Sequence, residues 1–209
     1  MGSLERRSRE RAETRQRILE AAREMFVERG YEATTMRAIA ARIEYTPTAI
    51  YHHFRNKEAL FSELSALDFR ALAAAFLRIE RIEDPIERLR RCGLAYVEFG
   101  LEHPMQYQLM FMTRKPEGVV SEPRPADPSE DSFAFLKEIC AAAIAAGRIR
   151  PDYQDADELA LMAWSALHGL LSLTIVKQGD DRVDLGNPKA TAVRICDALL
   201  EGVLRQRQS

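Results

Sequence analysis

The sequence predicts an all-helical protein of about nine helices, and three observations carry that expectation. Apolar residues recur three and four positions apart along most of the chain. Strict alternation never persists beyond a few residues. The gaps between apolar runs hold helix punctuation, including Gly30, Asp84-Pro85, Gly147 and Asn187-Pro188. The 209 residues are 46% hydrophobic and 30% charged, which suits one or two domains with a sizeable core.

The chain opens with Arg6, Arg7, Arg9 and Arg11, followed by Arg15 and Arg17. Such a run is expected to be a solvated end or a basic arm along a nucleic-acid backbone. From Thr14, the pattern Ile18, Leu19, Ala22, Met25 and Phe26 predicts an amphipathic helix closing at Gly30. Thr35 stands where an N-cap hydroxyl belongs, ahead of Met36, Ile39, Ala40 and Ile43. That run breaks at Glu44-Tyr45, and Thr46-Pro47 opens the next helix with a cap and a residue that has no amide to waste. Two short helices joined by a tight turn predict a helix-turn-helix.

At about 100° per residue, Ile50 and Phe54 face the core with Pro47 beside them. Thr48, Ala49 and His52 then point outward, with Tyr51 and His53 on the flanks. Asn56 is placed to cap a long helix to about Arg81 through Leu60, Leu64, Leu67, Leu72 and Phe76, a rod between two domains. Asp84-Pro85 starts a helix through Leu89, Cys92, Tyr96 and Phe99 that His103-Pro104 breaks, and a short one with Leu109 and Met112 follows.

Arg114 to Ser132, with Pro116, Pro123, Pro125 and Pro128, reads as a loop. Ser132 is expected to cap a helix through Phe135, Leu136, Ile139 and Ala143 that stops at Gly147. Asp155 to Gln178 is apolar nearly all round, so one side needs a partner beyond the body of the domain. Asn187-Pro188 opens the last helix, through Ile195, Cys196, Leu199, Leu200, Val203 and Leu204. The domain boundary is expected at 56, with residues 1–56 and 57–209 as the two parts.

Charge is uneven. Residues 1–60 hold 12 Lys/Arg against 9 Asp/Glu, about +3, and the remainder 18 against 23, about −5, within a net charge of −2. A basic N-terminal part on an acidic body fits a DNA reader joined to a regulatory domain. A major groove admits one helix, whose short or polar side chains read base edges, while hydroxyls and helix N-termini suit phosphates. The expected DNA surface is Thr35, Met36, Arg37, Thr46, Pro47, Thr48, Ala49, Tyr51, His52, His53 and Lys57.

The pattern T-T-x-x-x-I-A, then T-P-x-x-I-Y-x-H-F-x-N-K-E-x-L, from Thr14 to about Leu64, resembles the DNA-binding domain of TetR-family transcriptional regulators. The resemblance implies DNA contacts at Thr35, Thr46, Thr48, Ala49, Tyr51, His52 and Lys57. It further implies a homodimer on a palindromic operator, a C-terminal ligand sensor and repression released by an effector. One departure stands out: Glu44 occupies a turn position where the family commonly has glycine.

Trp164 to Gly169 is similar to the W-x-x-x-H-G signature of one C-terminal subfamily, and His103-Pro104 with Tyr107 and Phe111 to another of its blocks. The expected effector site is Tyr96, Phe99, His103, Tyr107, Met110, Phe111, Phe135, Trp164 and His168. Its aromatic and methionine content favours a small apolar or aromatic ligand. The expected dimer surface is Leu159, Ala163, Ala166, Leu170, Leu173, Cys196, Leu199, Leu200 and Val203.

No nucleophile elbow, phosphate loop or paired-carboxylate site appears, and adjacent His52 and His53 point different ways, so neither an enzyme nor a metal centre is expected. No cofactor is expected either. Cys92, Cys140 and Cys196 lack metal or redox spacing and read as buried thiols. No run of membrane-spanning length and no signal segment is expected, which predicts a cytoplasmic protein. The alternative is a DNA-binding or architectural protein with no small-molecule response.

Overall fold

Cap chemistry sets where the helices begin. The computed structural model describes residues 3–114, 116–117, 131–179, 182 and 184–205, the side chains from residue 5 onward. Among them are nine α-helices, a π-turn and a 3-10 turn, and no strand beyond one isolated bridge between Ile149 and Leu204. The helices are α1 (Ser3–Arg29), α2 (Met36–Arg42), α3 (Pro47–Tyr51), α4 (Lys57–Phe76), α5 (Pro85–Glu102), α6 (Pro104–Tyr107), α7 (Ser132–Ala145), α8 (Ala156–Val176) and α9 (Pro188–Val203). The all-helical expectation holds. The Pro-rich segment lies almost wholly outside the described residues.

The chain forms two compact units, Met1–Asp68 with Met105–Glu122, and Phe69–Pro104 with Pro123–Ser209. In the first, one core gathers Ile18, Met25 and Phe26 of α1, Ile39 of α2, Ile50 of α3 and Leu60 and Leu64 of α4. Leu109 of the π-turn Gln108–Met112 joins that core, so a segment distant in sequence seals the helix-turn-helix domain. Phe26, Tyr31 and Phe61 form a ring cluster with centroids 5.2–5.6 Å apart. In the same unit the fully buried carboxylate of Asp68 accepts from Arg23 at 2.6 Å and Gln106 at 3.0 Å. A buried charge is tolerable only when paired and hydrogen-bonded in this way.

In the second unit α5 packs against α7, α8 and α9, and α8 lies against α7 and α9. Gly93 permits the close approach. A Cβ there would meet Leu167 Cδ1 at 2.8 Å and Cys196 Sγ at 3.1 Å. Phe76 stacks on Phe135 with centroids 5.6 Å apart. The three cysteines are free and buried, and burial pushes the Cys140 thiol up to about 12 and raises Cys92 and Cys196.

Three boundaries and the expectation of no apolar run of membrane-spanning length differ from what the structure holds. Helix α1 begins at Ser3 instead of Thr14, which sits mid-helix with its hydroxyl on Glu10 O at 2.9 Å. The Arg/Glu-rich run suits a helix and places Arg6–Glu10 and Arg9–Glu13 one turn apart, at 3.6 and 3.8 Å. Helix α4 stops at Phe76, where the Ile79 and Ile82 amides each turn back three residues and Ile79 is drawn inward. Asp131, not Ser132, caps α7, accepting from Phe133 N at 2.9 Å and Ala134 N at 3.2 Å. Finally, α8 is long and apolar enough to cross a membrane by length and composition, with a mean hydropathy of 1.8. Its acids sit in the first turn and Leu159 to Val176 carries no charge; Leu159, Ala160, Leu167 and Leu171 are buried, and 22% of the apolar stretch is buried in all.

Candidate nucleic-acid interface and effector site

Both reading-head helices start on the hydroxyls that the sequence offers. Thr35 Oγ1 accepts from Ala38 N at 3.1 Å and Thr46 Oγ1 from Ala49 N at 3.3 Å. Each cap satisfies one orphan amide of its helix. Ile50 is fully buried and Phe54 nearly so, which fixes the roll of α3. Thr46, Pro47, Thr48, Tyr51 and His52 are consequently exposed, together with Thr35 and Arg37, and Ala49 is half-buried.

Met36 is buried, since it heads the inward stripe of α2, and has no side chain to offer a ligand. Pro47 is exposed instead of lying beside the core. Lys57 is half-buried; its ammonium donates to Tyr31 O at 2.8 Å and lies 3.9 Å from the Tyr31 ring centre.

The turn before α3 has left-handed backbone at Glu44, φ 60°. Tyr45 N bonds Ala40 O at 2.9 Å and Glu44 N bonds Ala41 O at 3.2 Å. That is the Schellman pattern, whose left-handed position glycine normally fills. The helix-turn-helix thus keeps its geometry with a strained residue.

Arginines of α1 brace this head. Arg15 donates to His53 O at 2.9 Å and to Glu63, and stacks 4.3 Å from the Phe54 ring centre. Arg17 reaches Tyr45 OH and Ile43 O, both at 3.3 Å. The half-buried imidazole of His53 is held below its usual range by burial first, then by the charges of Arg11, Arg15 and His52. His53 is therefore a neutral flank. The influence of Arg11 on this flank has one signal in the sequence, its spacing of one helical turn from Arg15.

The expected effector residues divide between the two units. Tyr107, Met110 and Phe111 belong to the first, where Tyr107 is fully buried and its ring centre lies 5.0 Å from that of Phe111. The rest belong to the second. There the Trp164 indole donates to Tyr96 Oη at 2.9 Å, and that oxygen lies 3.4 Å from His168 Nδ1. Indole N–H can only donate, so the tyrosine oxygen is the acceptor in that bond. Burial lowers the pKa of His168 and favours its neutral ring, whose tautomer decides which of the pair donates in the second contact. Phe133, absent from the expected set, packs 5.7 Å from Trp164, and Phe99 lies 5.0 Å from His103. A cavity of about 480 Å³ opens elsewhere in this unit, between the C-terminal ends of α5 and α8 and the start of α9, lined by Leu101, Ile175, Lys177 and Asp184 among others.

Of the residues expected to meet a second copy, Leu159, Cys196 and Val203 are buried within one chain because α8 and α9 turn them toward α5 and α7. Ala163, Ala166, Leu170, Leu199 and Leu200 are half-buried. Leu173 of the expected set is exposed, and Leu161 and Val176, outside that set, are exposed too, at 56%, 51% and 62% respectively.

Residues 18–64 match the profile described as bacterial regulatory proteins, tetR family, and residues 89–205 that of the Tetracyclin repressor-like C-terminal domain. The chain belongs to the TetR family. The TetR relatives it matches are named as HTH-type transcriptional regulators and repressors. The transcriptional regulator UidR of Escherichia coli K12 is 40% identical over 90 residues, 43% of this chain and 40% of UidR, so the match spans well under half of that protein. The transcriptional repressor KstR2 of Mycobacterium tuberculosis is 31% identical over 139 residues, 65% of this chain and 68% of KstR2. The structure of KstR2, described as a ketosteroid transcriptional regulator, superposes with a TM-score of 0.68 at 24% identity over 92% of this chain and 96% of that one. A Rhodococcus sp. RHA1 protein of unknown function gives 0.71 at 25% identity, over 91% and 95%. The chain is accordingly a TetR-family DNA-binding transcriptional regulator. Its N-terminal family match begins at Ile18, so the first half of α1 lies outside it.

Proposed function

We propose that this protein is a homodimeric, ligand-responsive repressor that binds a palindromic operator and is released by a small apolar or aromatic effector. The observation that carries the reading is the exposed outer face of α3. Thr48 and His52 stand outward over the buried anchors Ile50 and Phe54, with two capped helix N-termini and the Tyr51 hydroxyl beside them. Thr48, Ala49 and His52 take the base-reading role. Thr35, Arg37, Thr46, Tyr51 and Lys57 take phosphates, Lys57 being already held by Tyr31 and so ordered before DNA arrives.

The effector is assigned to the aromatic cluster around Tyr96, Trp164 and His168, in keeping with the W-x-x-x-H-G resemblance. An effector that favours one setting of α4 shifts the population away from the DNA-binding state, and only its differential affinity for the two states sets the size of the shift. Cytoplasmic location follows from the role.

Selection of bound fragments from a random duplex library by the purified protein tests the reading. Enrichment of a palindrome, with altered preference in Thr48→Ala and His52→Ala, is the expected outcome. Wild-type preference in both variants would take the base-reading role away from this face.

A further inference from the structure

The first half of α1 carries a one-sided set of arginines beyond the three-helix core. Counting about 100° per residue from Arg7, Arg11 falls at about 40° and Arg15 at about 80°. The buried residues Ile18, Ala22 and Met25 fall at about 20°, 60° and 0° on the same count. The stripe that seals the core in the second half of the helix therefore continues outward as Arg11 and Arg7, both exposed. The opposite face is neutralised by its own i,i+4 pairs, Arg6 with Glu10 and Arg9 with Glu13. Neither Arg7 nor Arg11 forms an ion pair among the described residues.

This stripe borders the reading head. Arg15, one turn on from Arg11, donates to His53 O just past the end of α3. Thr14 Oγ1 lies 3.5 Å from Tyr45 OH in the turn before α3. The charge of Arg11 is itself felt at His53. Two such guanidiniums on a rigid helix, one and two turns out from the arginine that braces the recognition helix, are placed to meet a polyanion that the helix engages.

We propose that Arg7 and Arg11 bind the DNA phosphate backbone beside the half-site read by α3, extending the contact surface beyond the helix-turn-helix. This rests on the DNA-binding reading given above. The contact is sequence-independent, so its signature is salt dependence and not base preference.

The test uses the full chain and a fluorescein-labelled random-sequence duplex, with affinity followed across potassium chloride concentrations. R7A/R11A is expected to reduce the slope of log affinity against log salt by about 0.9 for each phosphate no longer neutralised, about 1.8 per bound protomer. R7K/R11K restores the slope. R6A/R9A removes the same charge from the paired face and leaves it near wild type. A wild-type slope in R7A/R11A, or an equal reduction in R6A/R9A, overturns the proposal. Failure of the wild-type chain to bind the duplex at any salt instead removes the DNA-binding reading, and this proposal with it. Circular dichroism of R7A/R11A shows whether α1 keeps its helix.

Discussion

At the scale of single residues, Glu44 tests how strictly the turn geometry is imposed. Its left-handed backbone costs about 1–2 kcal/mol for a residue with a Cβ. Glycine removes that strain but gives back about 0.4–1 kcal/mol through a freer unfolded chain. Glu44→Gly is therefore expected to raise stability by about 1 kcal/mol net, read as a higher urea midpoint at unchanged slope. A lower midpoint would mean that the strain is absent in solution. His53 gives a second test. In the fold its pKa lies below the ordinary value of about 6.5, so the unfolded chain takes up the proton first as pH falls. Stability then drops with falling pH from about 7 until the folded value is passed. The wild type should lose more stability than His53→Gln between about pH 7 and pH 5, measured by urea titration at each pH. His168 has the same sign and is present in both proteins, so it cancels in the comparison.

At the scale of elements, the sequence is most legible where one residue does one local job. Thr35, Thr46, Asp84 and Asn187 all cap the helices they are expected to open, and Gly30 and Gly147 end theirs at positive φ. Ile50 and Phe54 fix the roll of α3, so its outer face is legible in the residues alone. What stays hidden depends on distant pairing. Nothing in the local pattern brings Leu109 into the core of the N-terminal unit, or places Gln106 on Asp68. The polar tie between α1 and α4 is the sharpest case. Arg23→Ala leaves the Asp68 carboxylate buried without its cation and is expected to cost about 3–5 kcal/mol. Replacing both by apolar residues, R23M with D68L, removes the unpaired charge and should recover most of that loss, since paired removal is often neutral. Thermal melts of the two variants decide. If the double replacement is no better than the single one, then packing, and not charge, carries the tie.

At the scale of the whole molecule, α8 connects the sequence to assembly. Its apolar circumference is legible as a demand for two partners, but not which stripe remains uncovered. That depends on how α5, α7 and α9 roll it, and they take Leu159, Leu167 and Leu171 inward. The stripe left in water holds Leu161, Leu173 and Val176 with Ser165, and half-buried Gly169 and Ser172 lie between them. Large apolar groups together with small ones on one exposed helix face suit close approach by the same face of a second copy, across a two-fold axis. Leu173→Glu with Val176→Glu places two carboxylates on this stripe and, by symmetry, two more facing them. Like charges taken out of water in this way cost more than a modest apolar interface returns. Sedimentation at low micromolar concentration should give a dimer for the wild type and a monomer near 24 kDa for the double variant, since one chain is 23.8 kDa. Because both side chains are more than half exposed within one chain, the thermal unfolding of the isolated protomer should change little. A double variant that stays dimeric would move the interface off α8. A wild type that sediments as a monomer would remove the dimer itself, and with it the spacing of two reading heads on which palindromic operator binding depends.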